Sequence, residues 1–291
     1  MKNIQFLSKT KLLMIIQAAL LVMIMAACGN GDTEESEASN EEQNGESEAT
    51  ESEGNQSGDL NLLEDGFLIY ASEGAFKPFN YMEGNEMVGY DIDVANAIAE
   101  KLGLEPDPVK ARFDGIVLGV QNKRYDTAVA SLTITDERKE HVNFTIPYYE
   151  TKTRIYTRPD SDIQTADDLQ DREIAVSRGS TFKEIALEYT DGSNVSEYDG
   201  DNVTLQALAE GHHDAVITNN MIGQSSIQNG LEVVEIEEDL MVNQAGIAVA
   251  KDNDALLEAI NEALIEMIES GELQEIAMEW IGVDITVPLE D

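Results

Sequence analysis

Arg138 stands in the stretch SLTITDERKEH, three positions after Thr135, a residue suited to capping a helix start. A guanidinium placed there can hold a carboxylate through two parallel charge-assisted bonds, which a lysine cannot reproduce. Its competing use is a surface ion pair with Asp136 or Glu137, which contributes little. Glu73 and Phe76 sit in ASEGAFKPFNYM, a Gly- and Pro-punctuated loop that also carries Phe79. One carboxylate among aromatic faces suits the cationic end of a small ligand. Gly179, Ser180 and Thr181 open a predicted helix. Free N–H groups at a helix start favour an anion, although the two hydroxyls can equally serve as caps. Acid on one side and guanidinium on the other describe a site for a small zwitterion.

These groups need elements to hold them apart and aim them. Phe67 to Ala71 reads as an apolar strand, and after the loop a helix opened by Asp91 and Asp93 runs to a left-handed cap at Gly103. A strand over Val109 to Ala111, a helix over Phe113 to Val120 and a buried strand over Thr127 to Ser131 follow. The β-rich stretch Phe144 to Thr157 is long enough to leave one domain and enter another. A second block repeats the pattern: strands at Glu173 to Ser177, Val195 to Tyr198 and Asp214 to Thr218, with helices over 179–189 and 203–208. Gln244 to Ala250 is extended and suited to a return, and two helices, Asp254 to Glu269 and one holding Trp280, close the chain. Alternation of this kind is the mark of α/β layering, in which ligands bind at the C-terminal ends of strands. Two crossings between similar units imply a hinge; a single doubly wound domain with a β insertion is the competing architecture.

Composition narrows the function. With 18 basic against 58 acidic side chains and a net charge of -40, the chain has no basic surface for nucleic acid or for anionic lipid. Lys2, Lys9 and Lys11 precede an apolar run from Leu12 to Met25, and small residues lead to Cys28, the only cysteine. This is the order of a secretory signal, and the run is shorter than the roughly 18 to 20 residues that span a bilayer. Met25 to Cys28, MAAC, resembles a bacterial lipobox, so Cys28 is expected to be lipidated, with residues 1–27 removed. From Gly29 to about Asp59 the chain is Gly, Ser, Asn and Glu without Lys or Arg, the composition of an extended, self-repelling tether. No nucleophile elbow, phosphate loop or zinc motif is present, and no cofactor is expected. His212, His213 and the acidic run Glu235 to Asp239 read as solvated, and Trp280 as lobe packing.

Five stretches in collinear order resemble the polar amino acid substrate-binding proteins of ABC importers: GYDIDVANAIAEKLGL, SLTITDERKEHVNFTIPYY, VSRGSTFKEIA, DAVITN and GELQEIAMEWIG. The resemblance covers Gly66 to Gly282. It implies a two-lobed, type II periplasmic-binding-protein clamp of the Venus-flytrap kind, with two hinge strands near Tyr148 to Lys152 and Asn243 to Ile247. Lobe one is expected over residues 60–150 and 247–291, and lobe two over 151–246. The implied function is extracytoplasmic capture of a polar amino acid and delivery to a membrane permease, by a monomer tethered through its lipid.

The resemblance also assigns roles. Arg138 takes the ligand carboxylate; Ser131 and Thr133 bond its amino and carboxylate groups; Phe76 and Phe113 sandwich its side chain, with core packing the rival for Phe113. Ser180 and Thr181 add anion contacts. Glu73 stands where many relatives carry Asp, and Asn219 where an Asp usually meets the α-ammonium. A lost charged contact there is of order 1.5 to 3 kcal/mol, so either Glu73 reaches the ammonium or the ligand is a cyclic or methylated solute such as ectoine. The rival function is a dehydratase of the cyclohexadienyl or arogenate type on the same scaffold, with Glu73 as general acid and Arg138 holding the substrate.

Overall fold

The computed structural model of the protein describes residues 60–289. The leader, Cys28 and the acidic tether lie outside the described residues.

Strand β1 (Phe67–Ser72) leads into a small antiparallel sheet of β2 (Ala75–Phe76), β3 (Asn80–Glu83) and β4 (Glu86–Val88). Then come α1 (Tyr90–Lys101), β5 (Glu105–Lys110), α2 (Phe113–Gln121), β6 (Thr127–Ala128), α3 (Asp136–His141) and β7 (Val142–Phe144). Strand β8 (Tyr149–Thr157) enters a second sheet, followed by β9 (Ile174–Ser177), α4 (Phe182–Leu187), β10 (Val195–Tyr198), α5 (Asp201–Ala209), β11 (Ala215–Asn219) and α6 (Asn220–Gln228). Strand β12 (Val234–Ala245) returns the chain to β13 (Ala248–Ala250), α7 (Asp254–Ser270) and α8 (Glu272–Trp280). The first sheet has the order β5-β1-β6-β13-β7 and the second β10-β9-β11-β8-β12. This is the two-lobed α/β architecture expected from the sequence.

Each sheet is covered on both faces, which explains its runs of apolar residues. In the second sheet Ile155, Ile174, Val176, Ala215 and Ile217 face one core with Phe182 and Ile185 of α4. The alternate positions Tyr156, Ala175 and Val216 face the other core with Leu205 and Leu208 of α5 and Ile222 of α6. The first sheet divides likewise: Leu68 and Tyr70 pack with α1 and α7, while Ala71, Ala128 and Ala248 pack with Ile116 and Val120 of α2. The two crossings lie side by side, with β8 and β12 antiparallel and Tyr149 opposite Ala245. The Tyr148 N–H donates to the Ala245 carbonyl at 2.9 Å, closing the pair at the boundary.

Some expectations are corrected. The strand predicted over Thr127 to Ser131 is regular at Thr127–Ala128 only; the Val129 N–H still bonds the Ala71 carbonyl at 3.1 Å, and Ser131 takes φ +55. The helix predicted through Tyr189 stops at Leu187. The run Glu235 to Asp239 is not simply solvated: Glu235 accepts from the Tyr156 hydroxyl at 2.8 Å and pairs with Arg154 at 3.2 Å. Asp239 pairs with Arg154 at 2.8 Å and with Lys152. His213 is buried beside the Tyr198 hydroxyl, 2.6 Å from Nε2, rather than solvated. Trp280 donates Nε1–H to Asp93 at 2.6 Å, tying α8 to α1.

Candidate functional site

The C-terminal ends of β1 and β6, the turn after β9 and the start of α5 converge on one cavity between the sheets. All nine residues singled out in the sequence line it: Glu73, Phe76, Phe113, Ser131, Thr133, Arg138, Ser180, Thr181 and Asn219. Tyr149, Ser177, Phe182, Asp201, Asn243 and Ala245 complete the wall. The accessible volume of the cavity is small, about 30 Å³, and bonds cross the cleft from the Arg138 guanidinium to the Gly179 carbonyl at 3.0 Å and from the Asn202 amide to the Ala75 carbonyl at 2.9 Å. The lobes are therefore closed upon each other.

Arg138 is placed by the helix start that the sequence indicated, since its N–H donates to Thr135 Oγ1 at 3.1 Å. Its guanidinium donates to the Thr133 carbonyl at 2.8 Å and, across the cleft, to the Gly179 carbonyl at 3.0 Å. It lies 5.6 Å from the Phe113 ring centroid, so that ring serves the site as well as the core. Neither Asp136 nor Glu137 pairs with it, and among the described residues no carboxylate comes within ion-pair distance. Burial lowers its pKa to about 10, with only Glu137 and Glu184 acting the other way through space. A partly desolvated cation without a counter-charge carries a cost, and an entering carboxylate removes it.

The same cavity is also lined by acids, Glu73 and Asp201. Burial first, and then Asp201, raise the Glu73 carboxyl to about 8. Asp201, at the first turn of α5, is 3 % exposed; burial pushes its pKa up, and it accepts from the Thr218 hydroxyl. Asn243 donates to Thr153 Oγ1 at 2.6 Å and leaves its own buried Oδ1 without a donor among the described residues. Two carboxyls and an unsatisfied carbonyl facing one cavity call for a donor with several protons, such as an ammonium. Sequence reasoning missed Asp201 and Asn243. Gly200-Asp201 before an apolar helical period did signal a helix start, but nothing local to either residue signals its burial.

Asn219 and Ser180 lie at the cavity with their polar groups largely committed. Asn219 Oδ1 caps α6 by accepting from the Met221 N–H at 2.9 Å, and its amide donates to Thr151 Oγ1 at 2.7 Å. The Ser180 hydroxyl donates to the Ser177 carbonyl at 2.6 Å and accepts from the Phe182 N–H at 3.3 Å. Ser131 is held from behind. Its hydroxyl donates to Asp91 at 2.7 Å and its N–H to the Tyr148 hydroxyl at 3.2 Å. Asp91 also accepts from Tyr148 Oη at 2.7 Å and Asn80 Nδ2 at 2.6 Å, yet complete burial still lifts its pKa to about 6. Asp91→Asn sets an amide against these donors and is expected to lower stability by about 1 to 3 kcal/mol in urea denaturation.

Close approach of the lobes depends on Gly179. It has φ +76, and a Cβ there would lie 2.9 Å from the Asp114 Cα across the cleft. Gly179→Ala is expected to hinder closure and weaken ligand binding about tenfold, measured by calorimetry, and the positive φ adds a loss of about 1 kcal/mol in ligand-free stability.

A two-lobed α/β molecule whose closed cleft holds a guanidinium without a counter-charge together with two raised carboxyls has the form of a solute-binding protein. The match is specific: residues 68–283 fit the bacterial extracellular solute-binding proteins, family 3, and the chain belongs to that family. It is 29% identical over 229 residues to the L-cystine-binding protein TcyJ of Escherichia coli (strain K12), covering 77% of this chain and 86% of that protein. It is 26% identical over 274 residues to the arginine-binding extracellular protein ArtP of Bacillus subtilis (strain 168), covering 93% and 97%. Among solved structures it is similar to an ancestral arginine-binding protein bound to arginine, with TM-score 0.71, 34% identity, and 75% and 99% of the two chains covered. An ancestral amino acid-binding protein described as a precursor of cyclohexadienyl dehydratase matches with TM-score 0.70 and 28% identity, covering 74% and 96%.

Proposed function

We propose that the protein captures a free amino acid outside the cytoplasm and hands it to the permease of an ABC importer. The observation that carries this reading is the half-buried Arg138, uncompensated by any described carboxylate and lining the cavity. The ligand carboxylate takes the guanidinium, with Thr133 and the Ser180–Thr181 turn beside it. The α-ammonium goes to Glu73, Asp201 and Asn243 Oδ1, which together replace the charge that Asn219 lacks. Phe76 and Phe113 flank the side chain. Ligand stabilises the closed form through contacts made with both lobes, a hinge closure about the paired segments of β8 and β12. In this scheme lobe one comprises residues 60–150 and 247–291, lobe two 151–246, and a lipidated Cys28 with its acidic tether keeps the monomer at the membrane.

A thermal-shift panel of amino acids and compatible solutes tests the reading. A ligand specific to the native state adds about 2.7 kcal/mol at a hundredfold excess over Kd, so binders of moderate affinity register. Stabilisation by one or more amino acids is expected; a flat response to all of them contradicts the proposal. The raised Glu73 carboxyl also suits a general acid, the feature that favours a dehydratase. We read it as an ammonium acceptor and expect saturable binding without turnover when arogenate is supplied.

A further inference from the structure

Ser131 lines the cavity, and the direction of its hydroxyl is settled behind the cavity wall. Its Oγ donates to Asp91 Oδ2 at 2.7 Å, and its N–H donates to the Tyr148 hydroxyl at 3.2 Å, which in turn donates to Asp91 Oδ1 at 2.7 Å. These three bonds close a ring in which an ionised Asp91, an acceptor only, fixes the polarity of every member. The one proton of the Ser131 hydroxyl is committed to Asp91, so only lone pairs are left for the cavity. Among the described residues no donor reaches Ser131 Oγ in bonding geometry, and the neighbouring Tyr149 hydroxyl can take one lone pair at most.

The same carboxylate braces the segment that carries Glu73. Asn80 Nδ2 donates to Asp91 Oδ2 at 2.6 Å, and Asn80 Oδ1 accepts from the Gly74 N–H at 2.9 Å, one residue beyond Glu73. Asp91 itself is fully buried in the first turn of α1, where the helix dipole favours its charge. The titratable groups around it are Tyr70 of β1, Tyr90 and Asp93 of α1, Tyr148 and Tyr149 of β8, and Asp284 beside Tyr90. None of them is cationic. A buried carboxylate held by neutral donors alone keeps an uncompensated negative charge, here one hydrogen bond away from the cavity.

We propose that Asp91 is a positioning residue for the ligand ammonium: it makes the Ser131 hydroxyl an obligatory acceptor and, through it, sets behind the ammonium a negative charge that Asn219 does not supply. This rests on the reading of the inner cavity as an amino acid site, and it adds Ser131 to the acceptors of the ammonium. Once protonated, Asp91 brings a donor of its own into the ring, the Ser131 proton turns toward the cavity, and the hydroxyl meets the ammonium as a donor. Burial raises the Asp91 carboxyl to about 6 in spite of its three bonds. Ammonium binding favours the ionised carboxyl, so the contribution of Ser131 is fully present above about pH 6 and is lost as pH falls below it.

Calorimetry on the full chain, with whichever of the twenty proteinogenic L-amino acids binds tightest, compares the natural protein with Ser131→Ala, Asp91→Asn and the double variant. Each single change is expected to weaken binding about tenfold or more, the effect of one bond to a charged group, and the double variant to be little weaker than Ser131→Ala. The affinity ratio of the natural protein to Ser131→Ala is expected to fall from about tenfold at about pH 7.5 to near one at about pH 4.5, since titration of Glu73 is common to both proteins and cancels. A carboxyl with a purely structural role would leave that ratio flat. The pH comparison needs no change at Asp91, so it decides the matter even if Asp91→Asn is too unstable to titrate. Losses that multiply in the double variant, full affinity in Ser131→Ala, or a ratio equal at both pH values would overturn the role of Asp91 while leaving the inner site standing. Failure of all twenty amino acids to bind the natural protein would overturn the inner site itself.

Discussion

Arg138→Ala is expected to weaken amino acid binding by more than about a hundredfold, since two charge-assisted bonds of about 1.5 to 3 kcal/mol each are lost. The melting temperature of the ligand-free protein is expected to stay within a few degrees. The guanidinium is half-buried without a described counter-ion, so its removal gives back desolvation while losing two bonds to carbonyls and the contact with the Phe113 ring. Arg138→Lys should not restore affinity, because a single ammonium cannot present the planar fork. A thermal-shift and calorimetry pair checks both halves. Full affinity in Arg138→Ala would mean that the anion is held elsewhere.

The second large effect is pH-dependent and belongs to Glu73. In the closed form burial and the neighbouring Asp201 raise this carboxyl from 4.5 to about 8, with Lys110 opposing and Asp114 and Asp199 adding smaller upward pushes. A carboxyl raised on closure makes the closed form bind an extra proton. Its contribution is therefore fully present below the ordinary carboxyl value and is lost as pH rises through about 8. Small-angle scattering of the ligand-free protein is expected to show a growing radius of gyration from about pH 6 to about pH 9. Glu73→Gln, which stays neutral, should remain compact over the same window. A cationic ligand reverses the dependence, since its ammonium draws the proton off Glu73, so affinity should rise with pH up to about 8 and level off above it. A scattering profile identical in both proteins at every pH would show that Glu73 does not govern closure.

Local signals carried much of this architecture. Thr135 is a cap before a charged turn, so the placement of Arg138 could be read from four consecutive residues, and its N–H does bond the Thr135 hydroxyl. The apolar periods of α1, α2 and α7 likewise follow from the sequence alone. What escaped notice depends on partners far along the chain. Asp201 reads as one more acid in YDGDN, yet it is buried with Thr218, seventeen positions on, as its bonding neighbour. Glu235 and Asp239 look like a solvated run until β12 lies against β8 and brings Arg154 across. The small sheet β2-β3-β4 has strands of two to four residues, too short for alternation to show, although Gly84-Asn85 marks its hairpin. The inner cavity combines both kinds of information: its lobe-one cation was legible, and half of its acidic wall was not.

The central claim is that Arg138 binds the ligand through its α-carboxylate. The most direct measurement is a calorimetric double-mutant cycle using the amino acid with the largest thermal shift, its α-carboxamide, the natural protein and Arg138→Ala. If the carboxylate sits on the guanidinium, the amide binds the natural protein as weakly as the amino acid binds Arg138→Ala, and combining the two changes adds little further loss. If the two losses simply add, the carboxylate and Arg138 act at separate places and the account is wrong.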